Sequence, residues 1–167
     1  MAQPAKSQPR PPKPGPVYFW KPQDGYGYLG QWFWSPWPHE GDTYKTAEMW
    51  MMVGKARLFG DEDVAREILA AEHPGRQKAL RRKMRIVEEG NCFKITISED
   101  AESLRAMLLA TGERELVEGS PMDRIWGVGF AEKNAGVNRV RWGQNLLGKA
   151  LMNVRKRLRE ESAQKEY

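Results

Sequence analysis

Cysteine occurs once in the 167 residues, at Cys92, and histidine twice, at His39 and His73. A lone cysteine excludes an internal disulfide and a thiolate zinc site, and its ordinary use is as a small buried apolar side chain. The two histidines stand in unrelated contexts with no ligand at helical spacing, so the sequence offers no metal site. No run of about 18 apolar residues is present, which argues against a membrane-spanning helix. Pro, Lys and Arg occupy the N-terminal stretch where a secretory leader would have its apolar segment. The expectation is a cytoplasmic protein with no membrane partner and no cofactor, nuclear entry remaining open. The net charge of +5 permits an anionic partner but does not demand nucleic acid, because most of the excess sits in short local runs.

What is present is enough apolar content, 40%, for one core. Residues 1–16 are rich in Pro, Gln and Lys and read as a disordered arm. Residues 17–160 read as a single domain, and 161–167 as a polar tail. Five of the seven tryptophans (Trp20, Trp32, Trp34, Trp37 and Trp50) lie between Tyr18 and Trp50, broken by Gly and Pro. That pattern suits short strands and turns lined with rings, which serve either as core or as an aromatic wall. Thr46 is a good N-cap for a helix over about Ala47–Phe59 ended by Gly60, and Asp61 caps a second from Glu62 to about Ala71. Residues 76–85 form a basic run, by default a solvated helix face. Gly90-Asn91 reads as a turn, and Glu99–Ala110 as a helix closed by Thr111-Gly112. A long irregular stretch, Glu113–Gly143, precedes a last helix over about Asn145–Glu160. Leu146, Leu147, Ala150, Leu151, Val154 and Leu158 form one apolar face of that helix. The fold class is α+β, mainly helical.

Two places carry candidate chemistry. Asp123-Arg124-Ile125-Trp126-Gly127-Val128-Gly129 combines an acid, a flat ring and two glycines, the makings of a phosphate or nucleotide loop, or of a Gly-rich turn around one buried Trp. Glu48 and Lys55 are seven residues apart on a predicted helix, hence on one face and separated by about 10 Å of rise. A small polar ligand fits between such a carboxylate and ammonium; two solvated charges fit the pattern equally.

The words Thr46-Ala47-Glu48-Met49-Trp50-Met51-Met52, Gly54-Lys55-Ala56-Arg57-Leu58-Phe59-Gly60-Asp61, Leu116-Val117-Glu118-Gly119-Ser120-Pro121-Met122-Asp123-Arg124-Ile125-Trp126-Gly127-Val128-Gly129 and Trp142-Gly143-Gln144-Asn145-Leu146-Leu147-Gly148-Lys149-Ala150-Leu151-Met152 resemble the NADAR family, also called YbiA-like, from about Val17 to Arg159. The resemblance implies a compact, mainly helical domain acting as an N-glycosidase on an ADP-ribosyl or phosphoribosyl compound, such as ADP-ribosylated guanine or a riboflavin-pathway intermediate. It implies catalytic roles for Glu48, Lys55 and Asp123, and substrate binding by Trp126, Gly127, Gly129, Asn145 and Gly148. In that reading a phosphate rests on the glycine N–H groups or on the start of the last helix. The partner is an ADP-ribose-like or phosphoribosyl small molecule, with ADP-ribosylated nucleic acid a further candidate. The chain departs from the family pattern at Gly30, Met49 and Cys92, and lacks a segment with a conspicuous tryptophan near 74–84, which would weaken catalysis. A non-catalytic ADP-ribose binder and a nucleic-acid module using the basic run are the competing readings.

Overall fold

The computed structural model describes residues 15–58, 60–70 and 84–165. The first fourteen residues, the stretch between residues 74 and 84 where a segment was expected to be missing, and nearly all of the basic run lie outside the described residues. The first structured residues are held rather than loose, since Arg114 donates to the carbonyls of Gly15 and Pro16.

Four three-residue strands precede or punctuate the helices. β1 (Val17–Phe19) pairs in parallel with β4 (Leu116–Glu118), setting Phe19 beside Glu118. β2 (Trp37–His39) and β3 (Asp42–Tyr44) form a hairpin. Its turn residues, Glu40 and Gly41, have φ of 49° and 87°, the left-handed pair that matches the twist of a tight hairpin.

The helix signals in the sequence act as capping chemistry requires. Thr46 Oγ1 accepts the Met49 N–H at 3.1 Å and opens α1 (Ala47–Leu58). Gly60, at φ 74°, lets the Asp61 N–H return to the Ala56 carbonyl and closes that end. Asp61 then accepts from the Val64 N–H to start α2 (Glu62–Ala70). α4 spans Ala101–Ala110. α6 (Leu146–Lys165) runs through what was expected to be a polar tail, so the domain's last helix ends five residues later than its apolar face suggests.

Two expectations are overturned. Gly90 and Asn91 are no turn; they lie inside α3 (Met84–Thr96). A Cβ on Gly90 would stand 2.7 Å from Trp50 Cδ1, so the glycine is there to let α3 approach the tryptophan of α1. The supposedly irregular 113–143 stretch also contains β4, the short helix α5 (Glu132–Ala135) and a 3-10 turn over Gly136–Arg141. Such elements are too short to show a period.

The main core joins β1, β4, α3, α4 and α6 through Val17, Phe19, Leu29, Ile95, Leu104, Leu108, Leu116, Leu147, Leu151, Val154 and Leu158. A second cluster under α1 and α2 takes Trp37, stacked on Tyr44 with ring centres 5.8 Å apart. Trp50 meets Tyr44, His39 and Phe93 edge to face. The N-terminal tryptophans thus divide: Trp37 is fully buried, whereas Trp32 and Trp34 are about half exposed. Arg57 ties the hairpin to α1 through Asp42 and the Tyr44 hydroxyl.

Candidate active site

The irregular segment between β4 and α6 is stiffened by Asp123. Its Oδ1 accepts the backbone N–H groups of Ile125 and Trp126 at 2.7 and 2.8 Å, folding the chain back on itself. Gly127 follows because a Cβ there would lie 2.8 Å from the Glu118 carbonyl and 3.1 Å from that of Asp123. Gly129 has φ 77°, and its Cβ would press on the Arg124 side chain. Trp126 is half-buried and rests on the main core, as Met51 of α1 also does.

The start of α6 is where a phosphate was expected, with Asn145 and Gly148 beside it, but this end is already occupied. The N–H groups of Gln144, Asn145, Leu146 and Leu147 donate to the carbonyls of Arg124, Gly127, Ile125 and Trp126. The first two N–H groups of the helix itself, those of Leu146 and Leu147, are thus spent on the loop rather than open to an anion. Asn145, at φ 50°, uses its side chain on β4: Oδ1 accepts the Glu118 N–H and Nδ2 donates to the Leu116 carbonyl. A Cβ on Gly148 would fall 2.1 Å from the Leu116 carbonyl oxygen. Both residues therefore hold α6 against β4.

Glu48 sits in the first turn of α1, its N–H bonded to the Gln31 carbonyl. Burial pushes its carboxyl up to about 7, so near neutrality it exists in both protonation states. Lys55 lies two turns further along the same helix face, with Met51 between them packed toward the core that also supports Trp126.

Glu118 was not among the expected site residues, although it lies within a recognised word. It stands at the end of β4, and its carboxyl is held up to about 8, first by burial, then by the charges of Asp123 and of Glu48. Two acids 75 positions apart in the chain, one on α1 and one in the loop, thus act on the carboxyl between them. Asp123 is joined to Trp126 by a hydrogen bond, and Glu48 and Asp123 both act on the Glu118 carboxyl; Lys55 stands at the far end of the Glu48 helix face. The signal available in the sequence was an acid ending a strand directly before the Asp123 loop. Among the described residues, no group of three or more acids, histidines or cysteines is arranged to hold a metal ion. No helix among them is long and apolar enough to cross a membrane. Cys92 is half-buried against the core, with its thiol pushed up by burial, which disfavours the reactive thiolate.

Comparison with known proteins shows the family. The NADAR domain matches residues 18–159. N-glycosidase R617 of Acanthamoeba polyphaga mimivirus is 36% identical over 155 residues, covering 81% of this chain and 89% of the relative. N-glycosidase YbiA of Escherichia coli (strain K12) is 31% identical over 153 residues, covering 85% and 88%. The NMR structure of the E. coli protein YbiA superposes with a TM-score of 0.66 at 28% identity, covering 89% of this chain and 88% of that one. The match spans all four words and the fold that joins them, so the chain belongs to the NADAR family.

Proposed function

We propose that the protein is an N-glycosidase that hydrolyses the ribosyl C–N bond of an ADP-ribosyl or phosphoribosyl compound. The observation that supports this reading is that Asp123 is bonded to the Trp126 N–H while Asp123 and Glu48 both act electrostatically on the carboxyl of Glu118. Breaking a ribosyl C–N bond builds positive charge at C1′, and a nearby carboxylate both stabilises that charge and takes a proton from the attacking water. Asp123, fixed by two backbone N–H groups, suits the first task. Glu48, poised near neutrality, suits the second. Trp126 offers its ring to the base or sugar. Gly127 and Gly129 keep the backbone close enough for N–H contact with the ligand. Lys55 hydrogen-bonds the sugar or base from the far end of the helix face, or attacks an opened ribose as a Schiff base.

The test is to incubate the purified protein with ADP-ribosylated guanosine and with the phosphoribosylamino-pyrimidine of the riboflavin route, following base release. Release from one of them, lost in Glu48→Gln, supports the reading and names the substrate class. Binding of ADP-ribose without release from either substrate would make the chain a binder. Borohydride trapping of a protein–ribose adduct through Lys55 separates the two roles of the lysine.

A further inference from the structure

The backbone around Glu118 is locked from every side. Its N–H donates to Asn145 Oδ1 at 3.0 Å, its carbonyl accepts the Val128 N–H at 3.0 Å, and the next residue, Gly119, donates to the Phe19 carbonyl at 2.8 Å. Gly127 lacks a side chain where one would strike the Glu118 carbonyl. Strand pairing, a left-handed asparagine and a glycine all fix the point from which this one side chain departs.

One oxygen of the side chain lacks any partner among the described residues. Oε2 is shut off from water and makes no hydrogen bond. The charged groups that act on it, Asp123 from the loop and Glu48 from α1, are both acids, and each raises the cost of ionising it. A carboxyl kept for stability would face a cation or a ring of N–H donors; one with neither would be better replaced by an apolar residue. Buried polar atoms without partners are rare enough that each calls for an explanation, and a ligand is the partner that this one lacks.

We propose that Glu118 is a catalytic acid of this site, its carboxyl hydrogen-bonding the substrate at the scissile nitrogen and passing a proton to it. This rests on the N-glycosidase reading above. As the C1′–N bond breaks, its electron pair stays with the base nitrogen, which takes the proton from Glu118. The water oxygen bonds to C1′ and gives one proton to the Glu48 carboxylate. Exchange with solvent then returns Glu118 to its acid form and Glu48 to its base form, so the sum is simple hydrolysis. Burial and the two neighbouring acids keep Glu118 protonated at neutral pH, which is the state the step requires.

Two variants and two readouts test this. Glu118→Gln keeps a neutral hydrogen-bond donor of the same shape but has no proton to give. It is expected to bind ribose 5-phosphate within about threefold of wild type in calorimetry, to melt no lower, and to release base at least about a hundredfold more slowly, with the alkaline limb of the pH–rate profile gone. Glu118→Ala, lacking the donor that meets the anomeric hydroxyl standing in place of the scissile nitrogen, is expected to lose about tenfold in ribose 5-phosphate affinity. Base release by Glu118→Gln at the wild-type rate with the wild-type pH profile overturns the proposal. A wild type that releases no base fails the activity reading and the proton transfer with it; Glu118 as a ligand contact is then judged by ribose 5-phosphate alone, upheld by the loss in Glu118→Ala and overturned by unchanged affinity. A wild type that neither binds ribose 5-phosphate nor releases base overturns both.

Discussion

Lys94 and Glu48 show how differently one residue's burial can be used. Lys94 is completely buried, its Nζ donating to the carbonyls of Tyr28 and Gly30 at 2.9 and 3.1 Å. It pins the aromatic N-terminal loop onto α3 through two of its three N–H donors. Glu48 is a carboxyl raised by burial that also acts on Glu118, an arrangement that costs stability and that catalysis explains. Replacing Glu48 with Gln should therefore cut base release by about 10²–10³-fold, the scale for losing one electrostatic stabiliser, while the melting temperature stays level or rises. Trp126→Ala should weaken ligand binding by about 1–3 kcal/mol, the range for losing a stacking ring; unchanged affinity by calorimetry would return Trp126 to a packing role. Glu48, Asp123 and Trp126 were singled out by the family resemblance, because an acid in a first helical turn and a Gly-rich turn around one Trp each have ordinary structural uses. Lys94 and Glu118 were not. Nothing in the neighbouring residues says that one lysine will meet two carbonyls some 60 positions upstream, or that one glutamate will be left without a partner.

At the scale of elements, a helix announces itself where its ends are capped locally. Thr46, Gly60 and Asp61 each act within a turn of where they stand, so α1 and α2 were readable to within a residue or two. α3 was misread at Gly90 because the reason for that glycine lies on another helix. Gly90→Ala tests it: helix propensity alone would favour alanine by about 1 kcal/mol, so a net destabilisation in urea shows that the contact with Trp50 outweighs propensity. The three-residue strands were unreadable for a different reason. β4 exists because α6 presses on it through Asn145 and Gly148, a relation between segments some 30 residues apart. Gly148→Ala forces a methyl group against a backbone carbonyl that has no room to give. It should cost about 1–3 kcal/mol in chemical denaturation and lower ligand affinity too, because β4 carries Glu118. A variant with full stability would show that α6 stands off β4 in solution.

For the molecule as a whole, the site leaves a signature in the pH dependence of stability. Glu48 and Glu118 hold protons in the folded chain up to about 7 and 8, against an ordinary value of 4.5. Folding takes up protons across that window, so their contribution to stability is present below about pH 4.5 and is lost as pH rises through the folded values. Lys94, lowered from 10.5 to about 7, acts in the opposite sense at higher pH, where stability recovers as the unfolded lysine also loses its proton. Melting temperatures should thus fall between about pH 5 and pH 7, and Glu118→Gln should flatten that fall; an unaltered slope would mean that Glu118 is ionised and solvated in the folded state. The pairing of β1 with β4 bears on how the protein is made. Residues 17–19 leave the ribosome early, yet their strand partner among the described residues follows about a hundred residues later, which at ordinary translation rates means waiting several seconds. During synthesis the aromatic N-terminal segment must stay unpaired and sticky until Glu118 emerges, and a nascent chain interrupted before that residue carries Glu48 but can never assemble the pocket around it.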